Sequence, residues 1–134
     1  HNIGLAIGGR FNISHGTTLA VLLPYVLAFN VEVASKKLAE CAVAMGIDTT
    51  GMTELEAAQA CVLGIEKLRN DLQLPNNFKD FGMTITDEDL EKIADTAEYK
   101  NKVGASAGSA PRKGTREDFK RIAVDAYHGV KVSF

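Results

Sequence analysis

The chain has 134 residues, 46% of them hydrophobic, no Trp, and a formal net charge of −2 with both signs mixed along it. That length suits one domain that buries about two-thirds of its unfolded surface without staples. The charge excludes a global pull toward nucleic acid or anionic membranes. The longest apolar run, Leu19 to Ala28, falls short of the roughly 20 residues that span a bilayer.

Almost every periodic segment reads as helix. Residues 16–29, GTTLAVLLPYVLAF, are apolar on all sides, as in a helix at the centre of a bundle. Pro24 removes a backbone donor and leaves the Ala20 carbonyl without its usual partner, so a bend is expected there, with Asn30 as a stop or hinge. Residues 31–45 put Ala34, Leu38, Cys41, Ala42 and Met45 at helical spacing, and Gly46 supplies a left-handed cap position. Thr53-Glu54-Leu55-Glu56 fits a capping box. It opens a helix with the stripe Leu55, Ala58, Val62, Ile65, Leu68 and Leu72, which Pro75 ends.

PNNFKDFGM, residues 75–83, reads as loop. Thr86-Asp87-Glu88-Asp89 starts a short helix with acids near its positive end; Leu90, Ile93, Ala94 and Ala97 are its apolar positions. VGASAGSAPRKG, residues 103–114, is a Gly- and Ser-rich connection. Thr115 caps a last helix with the stripe Phe119, Ile122, Ala123 and Ala126. The expected fold is all-α, a single domain over residues 1–134 with five to six helices.

Arg112, Lys113, Arg116, Lys120 and Arg121 form a basic cluster, but Glu117 and Asp118 interrupt it and no aromatic residue interleaves it. It reads as a solvated helix face, and no nucleic-acid partner is expected. Cys41 and Cys61, without CxxC spacing, read as buried free thiols. With no secretory pattern visible, a cytoplasmic setting is expected.

The opening stretch HNIGLAIGGRFNISHG carries two of the three histidines, His1 and His15. On residue types alone they are an exposed histidine and a helix-end histidine, because a catalytic metal needs three or four ligands. The wider stretch, HNIGLAIGGRFNISHGTTLAVLLPYVLAFN, resembles the metal-binding segment of the iron-containing (group III) alcohol dehydrogenases. That family's pattern is His-x3-His-x9-His-Gly, followed by an apolar helix with Leu-Leu-Pro and a final Phe-Asn. DTTGMTELEAA, LQLPNNFKDFGM and APRKGTREDFKRIAVDAY continue the similarity in order, over most of residues 1–128.

The resemblance implies the C-terminal helical region of a dehydroquinate synthase-like fold, and oxidation of small alcohols or reduction of aldehydes with NAD(H) or NADP(H). It implies a divalent metal, Fe2+ or sometimes Zn2+, held by one Asp and three His. The metal acts as a Lewis acid on the substrate oxygen during hydride transfer to the nicotinamide. His1 and His15 match two of those ligands. The family's middle His, implicated in proton handling, is replaced by Leu5, which cannot relay a proton. The Asp, the remaining His and the nucleotide-binding domain precede this segment in family members. The expectation is therefore a fragment, inactive alone, whose uncovered apolar surface drives self-association or homo-oligomerisation.

By the same resemblance Ser106 is a candidate lining residue of the substrate pocket, although a tight helix connection explains residues 103–114 without it. That loop has no GxGxxG pattern and no preceding strand, so it is not a dinucleotide fingerprint. His128 reads as exposed. Ser14 beside His15 is not a catalytic dyad, and Asp87, Glu88 and Asp89 are helix-start charges. Leu5 favours a competing reading: a stand-alone degenerate helical module for subunit association or small-ligand binding.

Overall fold

The computed structural model describes residues 1–104 and 107–134. Six helices follow one another among them: α1 Asn2–Phe11, α2 His15–Asn30, α3 Ser35–Ala44, α4 Glu54–Asp71, α5 Asp87–Val103 and α6 Arg116–His128. No strand occurs among the described residues. Helix α2 is central, packing on α1, α4 and α6; α3 pairs with α4, and α5 lies against both α1 and α6. Ile7, Val21, Leu22, Val62, Phe78 and Ile93 are among the fully enclosed side chains where these helices meet.

Thr53, Thr86 and Thr115 each head a helix in a complete capping box, with Glu56, Asp89 and Asp118 returning the bond. Two orphan backbone donors are satisfied at each start, which pins the register of the apolar stripe that follows. In α5 and α6 that stripe is buried as expected: Leu90, Ile93, Ala94 and Ala97, then Phe119, Ile122, Ala123 and Ala126. Helix α5 is longer than the short helix expected, 17 residues.

Several expectations need correction. Residues 31–34 form a turn, so α3 starts only at Ser35. Gly46 does take the left-handed conformation after it, with φ 78°. Cys41 is exposed, not buried; only Cys61 is enclosed. In α4 the buried face runs through Ala57, Ala58, Cys61, Val62 and Arg69, while Leu55, Leu68 and Leu72 are exposed. Arg69 is enclosed because its guanidinium donates to the Val21 carbonyl of α2 and faces Glu66. A buried cation is tolerated only with such partners. By contrast, Asn30 ends α2 as expected, with Pro24 inside the helix.

Both ends of α2 are held. At its start Ser14 Oγ accepts the Thr17 amide and the buried Thr18 hydroxyl donates to the Ser14 carbonyl. At its finish Asn30 Nδ2 donates to the Val26 carbonyl, and Asn30 Oδ1 accepts the Arg112 amide. The Arg112 guanidinium donates to the Phe29 carbonyl and lies 4.4 Å over the Phe29 ring. A cation on the last carbonyls complements the negative end of the helix dipole.

Ion pairs tie the outer helices. Arg116 of α6 reaches Glu91 and Asp95 of α5, and Lys120 pairs with Glu91. In the first turn of α5, Arg10 of α1 holds Asp89 at 2.6 Å. Asp89 also accepts the Thr86 amide and hydroxyl, and these bonds with the Arg10 contact hold its carboxyl at about 2. A depressed folded-state pKa adds stability that is complete above the usual carboxylate range and is lost as pH falls through about 2. Asp89→Asn is therefore expected to lower stability at neutral pH and to flatten its fall below pH ~4. Unfolding by urea at a series of pH values reads this; equal slopes for both proteins would contradict it.

Candidate metal centre

His1 precedes the first turn of α1 and His15 is the first residue of α2. Fourteen positions separate them in sequence. The chain turns at Asn12, which takes a left-handed conformation at the end of α1, φ 51°, and Ser14 then caps α2. Asn is among the few residues besides Gly that adopt this conformation readily. The two helices pack closely because Gly4 faces α2: a Cβ there would lie 2.8 Å from Leu19 Cδ2. Ile3, Ala6 and Ile7 are buried, which leaves the other side of α1 outward.

This packing brings the two imidazoles together. Their ring centroids are 4.9 Å apart and the planes meet at 76°, edge to face. Both residues are exposed, so the pair lies on an open face. Leu5 follows His1 by one helical turn, its amide bonded to the His1 carbonyl at 2.9 Å, and its side chain is 38% exposed. It contributes only apolar surface there.

Metal–imidazole bonds are about 2 Å long, so rings this close are within reach of one ion. Among the described residues no group of three or more His, Cys, Asp or Glu could hold a metal. The two imidazoles are thus the candidate donors that the described residues bring together. Ser106 lies outside the described residues. His128 is exposed, against Tyr127 and far along the chain from the pair. Asp87 and Glu88 stand in the first turn of α5. A cavity of about 360 Å³ opens at the far end of α2, lined by Tyr25, Phe29, Arg112, Arg121 and Ile122 among others. The length of α2, about 1.5 Å per residue, separates it from the histidines.

Residues 1–127 match the sequence profile of the Fe-containing alcohol dehydrogenase family, C-terminal part. The chain belongs to that family. It is 32% identical to 1,3-propanediol dehydrogenase of Klebsiella pneumoniae over 127 residues, 95% of this chain and 31% of that enzyme. Lactaldehyde reductase of Escherichia coli (strain K12) is 30% identical over 96% of the chain and 31% of the enzyme. Methanol:N,N-dimethyl-4-nitrosoaniline oxidoreductase of Amycolatopsis methanolica is 44% identical over 60% of the chain. Two solved structures superpose closely. A 1,3-propanediol oxidoreductase gives a TM-score of 0.85 at 31% identity, and an alcohol dehydrogenase from Oenococcus oeni gives 0.84 at 33%. Each superposition covers 95% of this chain and 32% of the larger one. The chain spans about a third of the length of these relatives, as the C-terminal region of a family of alcohol and aldehyde oxidoreductases.

Proposed function

We propose that this chain is a single helical domain forming the metal-binding C-terminal part of an NAD(P)-dependent oxidoreductase for small alcohols or aldehydes. His1 and His15 are two ligands of its divalent ion, Fe2+ or Zn2+. The observation that supports this best is the approach of the two exposed rings to 4.9 Å, in a chain that belongs to the family over residues 1–127. Imidazole nitrogen suits both ions, and a four-ligand set needs two further donors from outside this segment.

When bound, such an ion supplies Lewis-acid polarisation of the substrate oxygen while hydride passes to the nicotinamide. The chain's own part is to hold two donors at a fixed separation. The Ser14 cap and the enclosed side chains of α2 restrain His15, while Gly4 lets α1 carry His1 close to it. Leu5, one turn from His1, neither accepts nor donates a proton. The substrate's hydroxyl proton therefore leaves through solvent rather than through position 5.

The exposed Leu68, Leu72 and Leu74 support a further part of the reading, assembly with other copies or with the rest of the enzyme. The free thiols Cys41 and Cys61 suit a reducing compartment such as the cytoplasm. Purified chain loaded with iron or zinc is expected to oxidise no primary alcohol with NAD+, because its donor set is incomplete. Turnover by that chain would overturn the proposed division of the site. Leu5, where the family has a histidine, is the observation that favours a stand-alone helical module. An intact mass of the native protein equal to this chain's 14.4 kDa would decide for it.

A further inference from the structure

The two cysteines lie away from the histidine pair, on the α3–α4 face. Cys61 is fully buried in α4, and its Sγ lies 3.8 Å from the Met45 Sδ. Met45 ends α3, and its amide bonds to the Cys41 carbonyl at 2.9 Å, so Cys41 and Met45 are one turn apart on the same side of that helix. The methionine side chain is laid across α4 in a notch. A Cβ on Gly64 would lie 3.0 Å from the Met45 Cε, so the missing side chain leaves room for that methyl. Met45 remains 42% exposed and Cys41, one turn before it, is exposed, so the thioether links the buried thiol to the surface on the side of α3 that carries the second thiol. Burial, with a smaller contribution from Cys41, pushes the Cys61 thiol up, which keeps it protonated and resistant to oxidation in the free chain.

We propose that Cys41, Met45 and Cys61 form a site for a soft monovalent cation, Cu(I), separate from the histidine pair. Two thiolates and a thioether are the donors that select Cu(I) over harder divalent ions. Met45 and Cys41 meet the ion at the surface, and Cys61 anchors it beneath them. Each thiol releases its proton to solvent as its sulfur engages, so affinity rises with pH. No electron transfer is involved.

The test titrates the reduced full chain with Cu(I), under nitrogen, against a chromophoric Cu(I) chelator. The chain is expected to withhold a single Cu(I). Met45→Leu keeps the volume and the helix, and is expected to weaken binding at least about 10-fold; Cys61→Ala is expected to weaken it at least about 100-fold, beyond the range for changes in a metal's outer shell. Because Cys61→Ala leaves a gap in the core, helical circular dichroism accompanies each variant, and the Met45→Leu result stands if Cys61→Ala does not fold. Wild-type chain that yields all its Cu(I) to the chelator would overturn the proposal. So would binding that survives in folded Met45→Leu at full strength, which would leave the thioether outside the site.

Discussion

His15→Ala in the longer oxidoreductase is expected to release the metal, with affinity falling by more than about 100-fold and alcohol oxidation falling with it. His15 is exposed, so helical content should hold, and the unfolding midpoint should match that of metal-free wild-type enzyme. That combination separates a ligand from a structural residue, which would move stability and leave the metal in place. Leu5→Gln is not informative here, since an amide does not titrate near neutral pH. Leu5→His is: it sets an imidazole one turn from His1 on the exposed side of α1. Metal content should be unchanged, and the pH profile of kcat/KM should gain a limb near the ordinary histidine value of about 6.5. An unaltered profile would mean that position 5 does not face the substrate.

Phe78→Ala is expected to cost about 3–5 kcal/mol of folding stability, a large share of the 5–15 kcal/mol typical of a domain. Phe78 is fully buried although it sits in the loop between α4 and α5. Its amide donates to the Ala126 carbonyl and the next amide, Lys79, to the Tyr127 carbonyl, so the loop is stitched to the end of α6. Asn77 fixes the same loop by accepting the Asp80 amide at 2.6 Å and donating to the Asp80 carboxylate. Removing the ring leaves a cavity under a segment too irregular to close it. Urea unfolding measures the loss. A cost below about 1 kcal/mol would mean that the α6 end holds the loop without the ring.

Much of the helical order was legible because its signals are local. Thr53, Thr86 and Thr115, each with an acid three residues on, mark helix starts by a reciprocal pair of hydrogen bonds that needs no tertiary partner. The stripes of α5 and α6 follow from those starts. Helix α1 lies outside the five segments that the periodicity picks out. Gly4, Gly8 and Gly9 lower its propensity by about 1 kcal/mol each, and it is helical because Ile3, Ala6 and Ile7 pack inward while Gly4 admits Leu19. The α4 stripe was read too far. Periodicity alone does not say where a neighbouring helix stops, and α3 and α2 cover Cys61 and Arg69 but not Leu68 or Leu72.

The sequence by itself determined the helical class, the three capped starts and the family, and singled out His1 and His15 as the candidate donors. These depend on residue type and on spacing within a few turns. Only the tertiary structure decided that His1 and His15 meet at 4.9 Å, that Arg69 is buried, and that Met45 lies over Cys61. Each of those depends on the approach of two helices, set by side-chain volume and by the glycines at the contacts. No periodicity along one chain segment carries that information.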